Sequence, residues 1–415
     1  MFVNIILYFI CLALPLYFIR FAFLGVPTNL MEVILYLAFV AWLIYRWRKE
    51  KFSPTSNHNN KINWHLPWAV WAWLAIGLIA ALVNPDRLSG LGFWRAYFFD
   101  GALVYLIIAN EYELAKKIVP RALIITGGIV GAISLASFWG WHLATDGRWL
   151  GWYGFEAHAS PNYLSLFLVP IFAMSAIAIW AWRGRWRYLA ILSSLIMLVA
   201  LIGSQSRGAI IGIIGGLVVA ILWWRYRDKT HQFRWLQLSA IVLVALAVAT
   251  FFFAKPDFMA TPESGRVATS NNIRWYVWQT SIEIVGQRPL LGVGLGNYQN
   301  YFTQRTKDRV NYPEFIAPLA LTAHNLYLHI LTTMGVVGLI VFMWLIWSAI
   351  KAVSPQSRLP ATLMILAGFV SILFYGFVDT PFFKNDLAIL WWLLIGILLC
   401  YPATSARKQE EFFPQ

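Results

Sequence analysis

Residues 322–339 read TAHNLYLHILTTMGVVGL, and the run stays apolar to about residue 349. A helix of about 20 mostly apolar residues is long enough to cross a bilayer's hydrocarbon layer. Length and composition therefore predict one membrane-spanning helix over 323–349. Its opening is the exception, because a buried span has little use for His324 and Asn325. Asparagine is a favoured helix cap, so the pair is either a polar helix start or part of a site.

The rest of the chain agrees with a bilayer. Of its 415 residues 60% are hydrophobic and 12% charged, against roughly half and a quarter in soluble domains. Mean hydropathy is +0.64. Apolar segments fall at 2–19, 29–45, 67–83, 93–109, 121–144, 161–182, 188–204, 209–224, 236–254, 323–349, 360–377 and 386–402. They predict an all-α integral membrane protein of about 12 transmembrane helices. The first segment has no basic residue before its apolar run and no small-residue cleavage site, so it reads as a retained helix. Helices 1–9 occupy residues 1–254, a long loop 255–322, and helices 10–12 with a tail 323–415.

The net charge of +14 raises the question of nucleic acid, but topology accounts for much of it. Alternate connections gather Arg46 to Lys61, Lys116 to Arg121, Arg183 to Arg187, Arg225 to Arg234, and Lys351 to Lys408, together 19 of the 32 basic residues. The positive-inside rule puts that side, and both termini, in the cytoplasm. The short outer connections hold Arg20, Arg87, Arg95, Arg148, Arg207 and Lys384. The long outer loop holds seven more, including Arg266, Arg274 and Arg288, and long loops are exempt from the rule. A basic outer face needs another reason to exist, such as an anionic ligand.

Three outer stretches stand out from plain membrane sequence. TDGRWLGWYGFEAHASPN (145–162) is rich in glycine and aromatics and ends at Asn162. GSQSRGAIIGIIGG (203–216) sets Arg207 in a tight turn among hydroxyls and an amide, which resembles a built anion site. In the long loop, 272–286 has helix-like apolar spacing at Ile273, Val277, Ile282 and Val285, and predicts a short amphipathic helix bearing Arg274 along the membrane surface. GVGLGNYQN (292–300) lacks the dinucleotide-binding spacing and reads as a glycine turn. No Asp-x-Asp pair occurs, the outer carboxylates show no ligand-like spacing, and the two cysteines lie in spans at opposite ends. Neither a metal nor another cofactor is expected. The spans carry few mid-membrane charges and no internal repeat, which argues against an ion-coupled transporter. His324 and His329 are five apart and make a poor metal pair. A histidine titrates near neutrality and can accept a proton there, while arginines bind phosphate oxygens bidentately.

GSQSRGAIIGIIGGLVVAIL, Arg274 followed by RPLLGVGLGNYQNYF, and AHNLYLHILTTMGVVGLI together resemble the Wzy_C/O-antigen ligase domain, over about 195–345. That superfamily contains O-antigen ligases, O-antigen polymerases and protein O-oligosaccharyltransferases. The resemblance implies a GT-C-like fold with one long periplasmic loop bearing short helices. It implies a glycosyltransferase of the Gram-negative inner membrane with its active site facing the periplasm. The donor would be an O-antigen glycan on undecaprenyl diphosphate and the acceptor a hydroxyl of lipid A-core, with inversion and without metal. The short-turn arginine matches Arg207, the long-loop arginine Arg274, and the histidine opening the next span His324. His324 would be the general base, with Arg207 and Arg274 on the leaving diphosphate. Arg266, Arg288, Asn162, Asn325 and Asp379 are further candidates for holding diphosphate or glycan.

The close rival within the superfamily is the polymerase, whose acceptor is another lipid-linked repeat. Such polymerases often have two outer loops, each with an arginine followed by a glycine eleven residues on. None of Arg266, Arg274, Arg288, Arg305 or Arg309 has that glycine, and there is one long outer loop. The ligase is favoured. A lipid-linked glycan transporter and a structural assembly protein are the readings from other classes.

Overall fold

The computed structural model describes residues 1–23, 25–52, 61–140, 144–145, 147–155, 160–226, 270–309, 316–353 and 360–400. Arg266 and the predicted span 236–254 lie outside them. Helices overlie the other eleven predicted segments. They are α1 (Phe2–Ala13), α2 (Leu30–Phe52), α3 (Trp68–Val83), α4 (Arg87–Trp94) continued by a π-helical turn into α5 (Asp100–Asn110), α6 (Tyr112–Gly140), α7 (Pro161–Ala181), α8 (Arg185–Ser204) and α9 (Arg207–Tyr226). After them come α10 (Ser270–Gln287), α11 (Tyr298–Thr306), α12 (Ile316–Leu319), α13 (Leu326–Ala352), α14 (Pro360–Tyr375) and α15 (Asn385–Leu399).

Among the described residues seven helices are long and apolar enough to cross a membrane, and four shorter apolar helices stand with them. The architecture is that of a helical, multi-pass membrane protein. Two small hairpins, Arg20–Phe23 with Val26–Asn29 and Ala144–Thr145 with Arg148–Trp149, interrupt the helices at connections.

Small residues set the helix spacing. α14 packs on α9 and α7, and α7 on α8. Gly208, Gly212 and Gly216 of α9 face α14 so closely that a Cβ at Gly216 would lie 2.4 Å from the Ala367 carbonyl oxygen. Without a water-driven hydrophobic effect between lipid-embedded helices, such close backbone approach is what brings them together. The glycines of GSQSRGAIIGIIGG thus have a packing role.

The segment after residue 270 folds on its own small core of Val277, Ile284, Val293, Tyr298, Phe302, Ile316, Ala320 and Ala323. The predicted helix with Arg274 is present as α10, but its buried stripe differs from the expected one. Val277, Ser281 and Ile284 are buried, whereas Ile282 is 63% exposed. The stripe follows an i, i+4, i+7 pattern, and Ile282 lies off it.

The opening stretch departs from one uninterrupted helix. Gly335 has φ 69° and ψ −172°, and breaks α13. The groups this frees are met by the glycine segment from the long loop. Val336 N–H donates to Pro289 O (2.8 Å), while Val293 N–H and Gly294 N–H donate to Thr332 O (2.8 Å) and Thr333 O (3.2 Å). Non-helical backbone is tolerated at such depth when protein satisfies its polar groups. Gly292, Gly294 and Gly296 all have positive φ, so the expected glycine turn is also the piece docked into the helix break.

Candidate functional site

The site begins at the start of α13. Asn325 caps it, its Oδ1 accepting from Leu328 N–H (2.9 Å) and its Nδ2 donating to Phe377 O (2.9 Å). Leu326 N–H donates to Gly376 O (2.7 Å). The helix start is therefore stapled to the turn after α14, two to three residues from Asp379. His324, just before the cap, has φ 46°, a left-handed conformation that costs a non-glycine residue on the order of 1 kcal/mol or more. The staple holds it there, with the imidazole beside Asp379: Nδ1 to Oδ1 is 3.6 Å. That is ion-pair reach and beyond a hydrogen bond, so a small side-chain movement closes it. Nδ1 itself is buried while the side chain keeps 25% exposure, so the accessible part lies on the side chain's other atoms.

Asp379 is held from two other directions. Its Oδ1 accepts from Thr380 N–H (2.9 Å) and its Oδ2 from Asn162 Nδ2 (3.2 Å). Asn162 Oδ1 accepts from Arg148 Nη2 (2.9 Å), and Arg148 Nε donates to Ser204 O (3.0 Å). Arg274 Nε donates to Val378 O (3.1 Å), one residue away. Burial raises the Asp379 pKa, but His324, Arg274 and the Thr380 N–H outweigh it and hold the carboxyl below the usual range. The result is an ionised carboxylate beside the imidazole, suited to keep a proton on Nδ1 and to stabilise an imidazolium.

These residues line a cavity of about 910 Å³ that also takes in Arg20, Lys384 and Thr322. Arg20 comes from the first hairpin, paired with Asn29; just beyond Asn29, in the first turn of α2, Glu32 accepts from Arg95 (2.8 Å) and Asn385 (2.9 Å). Lys384 Nζ stands 3.5 Å from the Tyr163 ring centroid, 4.5 Å from Tyr153 and 4.6 Å from Tyr17, a cation cage of three faces. Four cations, a carboxylate and an imidazole on one wall set suit a polyanion with a reacting hydroxyl beside it.

Of the residues singled out in the sequence, Asn162, Arg274, His324 and Asp379 meet at this cavity. Asn325 is not among its lining residues, and both ends of its amide bond to the protein. Arg207 opens α9 and is exposed. It also lies off the lining, one residue from Ser206, whose hydroxyl is 2.6 Å from that of Tyr375. Arg288 borders a second cavity. His329, read as packing, is buried and accepts from Ala323 N–H through Nδ1 (3.3 Å), but it also lines the cavity that holds His324. Sequence reasoning passed over Arg20, Arg148 and Lys384 as site residues. Their signal was their place in short connections that the charge pattern assigns to the outer side, where charge bias gives no reason for a cation. Among the described residues no group of three or more His, Cys, Asp or Glu is placed to hold a metal.

Residues 192–343 match the family model described as O-Antigen ligase (Wzy_C). Two curated relatives bear the name "putative polysaccharide ligase". One, from Rickettsia conorii, is 25% identical over 234 residues, covering 55% of this chain and 54% of its own. The other, from Rickettsia felis, is 24% identical over 125 residues, 30% of this chain and 29% of its own. The chain thus spans about half the length of the first and under a third of the second. Together these matches show a similarity to O-antigen and polysaccharide ligases, with the family model confined to residues 192–343.

Proposed function

We infer that this chain, carrying an O-antigen ligase-type domain, transfers a glycan from a polyprenyl diphosphate to an acceptor hydroxyl. The observation that carries this reading is the His324–Asp379 pair set in a cavity with Arg20, Arg148, Arg274 and Lys384. The donor is undecaprenyl-diphosphate-linked O-antigen and the acceptor lipid A-core. The site faces the periplasm of a Gram-negative inner membrane, both termini are cytoplasmic, and about 12 spans adopt a GT-C-like arrangement.

The chemistry is one inverting displacement. Asp379 keeps a proton on His324 Nδ1, so Nε2 accepts the proton of the acceptor hydroxyl. That oxygen attacks the anomeric carbon as the bond from this carbon to the diphosphate oxygen breaks. The electron pair leaves with the diphosphate, where Arg274 and the other cavity cations stabilise the growing charge. Each such contact is worth about 3–4 kcal/mol when made in the transition state, and a positioned base about 10²–10⁴-fold in rate. Arg207, exposed at the start of α9, would meet the diphosphate from outside the cavity.

Membranes carrying His324→Ala, assayed for transfer at normal expression, should lose about 10²–10⁴-fold in rate; a wild-type rate overturns the scheme. In a deletion strain, unmodified core with polymerised glycan left on the carrier supports the ligase. Core bearing a single repeat assigns the chain as a polymerase.

A further inference from the structure

The second cavity, about 740 Å³, lies beside the first and differs from it in chemistry. Its floor is the turn Val83–Asp86 between α3 and α4, and its wall is one face of α11. α11 is two-sided. Tyr298 and Phe302 are buried in the small core, while Asn300, Thr303 and Gln304 line the cavity. A solvated helix face carries charged or polar residues, and at these positions they are neutral amides and a hydroxyl. The side chains of Gln299, Asn300, Gln304 and Arg288 have no hydrogen-bond or ion-pair partner among the described residues. Each amide presents two donors and an acceptor, which matches the mixed donor and acceptor character of sugar hydroxyls and acetamido groups. The volume is within the range of ligand pockets, about 300–1,000 Å³.

Two features join this cavity to the His324 site. Gln299 borders both. The docked glycine segment separates them, giving Gly292 and Val293 to one and Leu295 and Gly296 to the other. A chain whose reacting end lay beside His324 would leave over Gln299 along the amide face. We propose that this groove is a glycan subsite, which holds an uncharged stretch of oligosaccharide some sugars away from the reacting bond. The proposal rests on the transferase reading and adds to it where the saccharide lies.

The test uses the full-length protein in detergent, wild type and Asn300→Ala/Gln304→Ala. Both positions are exposed on α11, and alanine favours a helix, so folding is retained. The first measurement is transfer, with KM taken separately for lipid-linked donor and for acceptor. The variant should raise one KM about tenfold, as for two lost neutral hydrogen bonds, with kcat unchanged. A rise for the donor places the donor glycan in the groove, and a rise for the acceptor places the acceptor's. Unchanged KM for both overturns the subsite. The second measurement is saturation-transfer NMR with free oligosaccharide released from the host's lipid-linked pool by mild acid. If the wild type performs no transfer, the transferase reading fails and this signal alone decides the groove. Loss of signal in the variant upholds the groove, and equal signals overturn it.

Discussion

Gly335→Ala strikes the joint between the long loop and the helix that His324 opens. With φ 69° and ψ −172°, Gly335 occupies a region that side-chain-bearing residues enter at a cost of about 1–3 kcal/mol. The added Cβ would also lie 2.0 Å from the Leu290 carbonyl oxygen, a backbone atom that can yield only if the segment withdraws. Withdrawal breaks the Val336 N–H to Pro289 O bond (2.8 Å) and the Val293 N–H to Thr332 O bond (2.8 Å), each worth about 0.5–1.5 kcal/mol net. The sum is about 2–6 kcal/mol. Unfolding of the detergent-purified protein, with hydrogen exchange at Val293 and Gly294, measures it. The variant should unfold earlier and expose those two amides. Gly286→Ala is the matched control: its Cβ would meet nothing within 4 Å, and in the last turn of α10 it should be neutral or stabilising by up to about 1 kcal/mol. Equal stability and exchange for Gly335→Ala and wild type would show that the loop is not held by the helix break.

Two further outcomes address the site. Asp379→Asn keeps the shape but removes the charge facing the imidazole, and should lower kcat about 10²–10⁴-fold. It should also alter stability with pH. Because the folded carboxyl titrates below its ordinary value, its stabilisation is present above about pH 4 and is lost as pH falls through the folded value. The gap in unfolding temperature between wild type and Asp379→Asn should therefore close on acidification; a constant gap refutes the ionised pairing. Arg148→Ala should lower kcat, and Arg148→Lys should fail to restore it. One ammonium cannot reproduce Nε to Ser204 O together with Nη2 to Asn162 Oδ1, whose geometry is that of a guanidinium; full activity of the lysine variant would contradict this.

The helices were legible because a bilayer demands long apolar runs, and a run of that kind is visible without any knowledge of its neighbours. The break at Gly335 was not, since MGVVGL reads as ordinary small-residue membrane sequence. Its meaning depends on a loop about 40 residues earlier in the chain, by number. The same reason explains Ile282. Apolar spacing gives candidate faces, but the partner that selects one, here Tyr298 and Phe302 of α11, comes from elsewhere.

The site divides in the same way. His324, Arg274, Asn162 and Asp379 could be picked out because each is a polar residue where a span or loop helix meets a connection that the charge pattern assigns to the outer side. What the sequence could not supply was their order: which group touches which, and which cations complete the set. Arg20 reaches the cavity from a hairpin in which it pairs with Asn29, and Lys384 sits among three tyrosine faces; neither arrangement has a local signature. The positive-inside rule nonetheless contained the clue, because it predicts few cations in short outer connections. Arg20, Arg148 and Lys384, three of the six that the charge pattern assigns there, line one cavity. A residue that violates a charge bias incurs the violation for a reason, and here the three violations share a location. An anion held between them is the simplest cause common to all three.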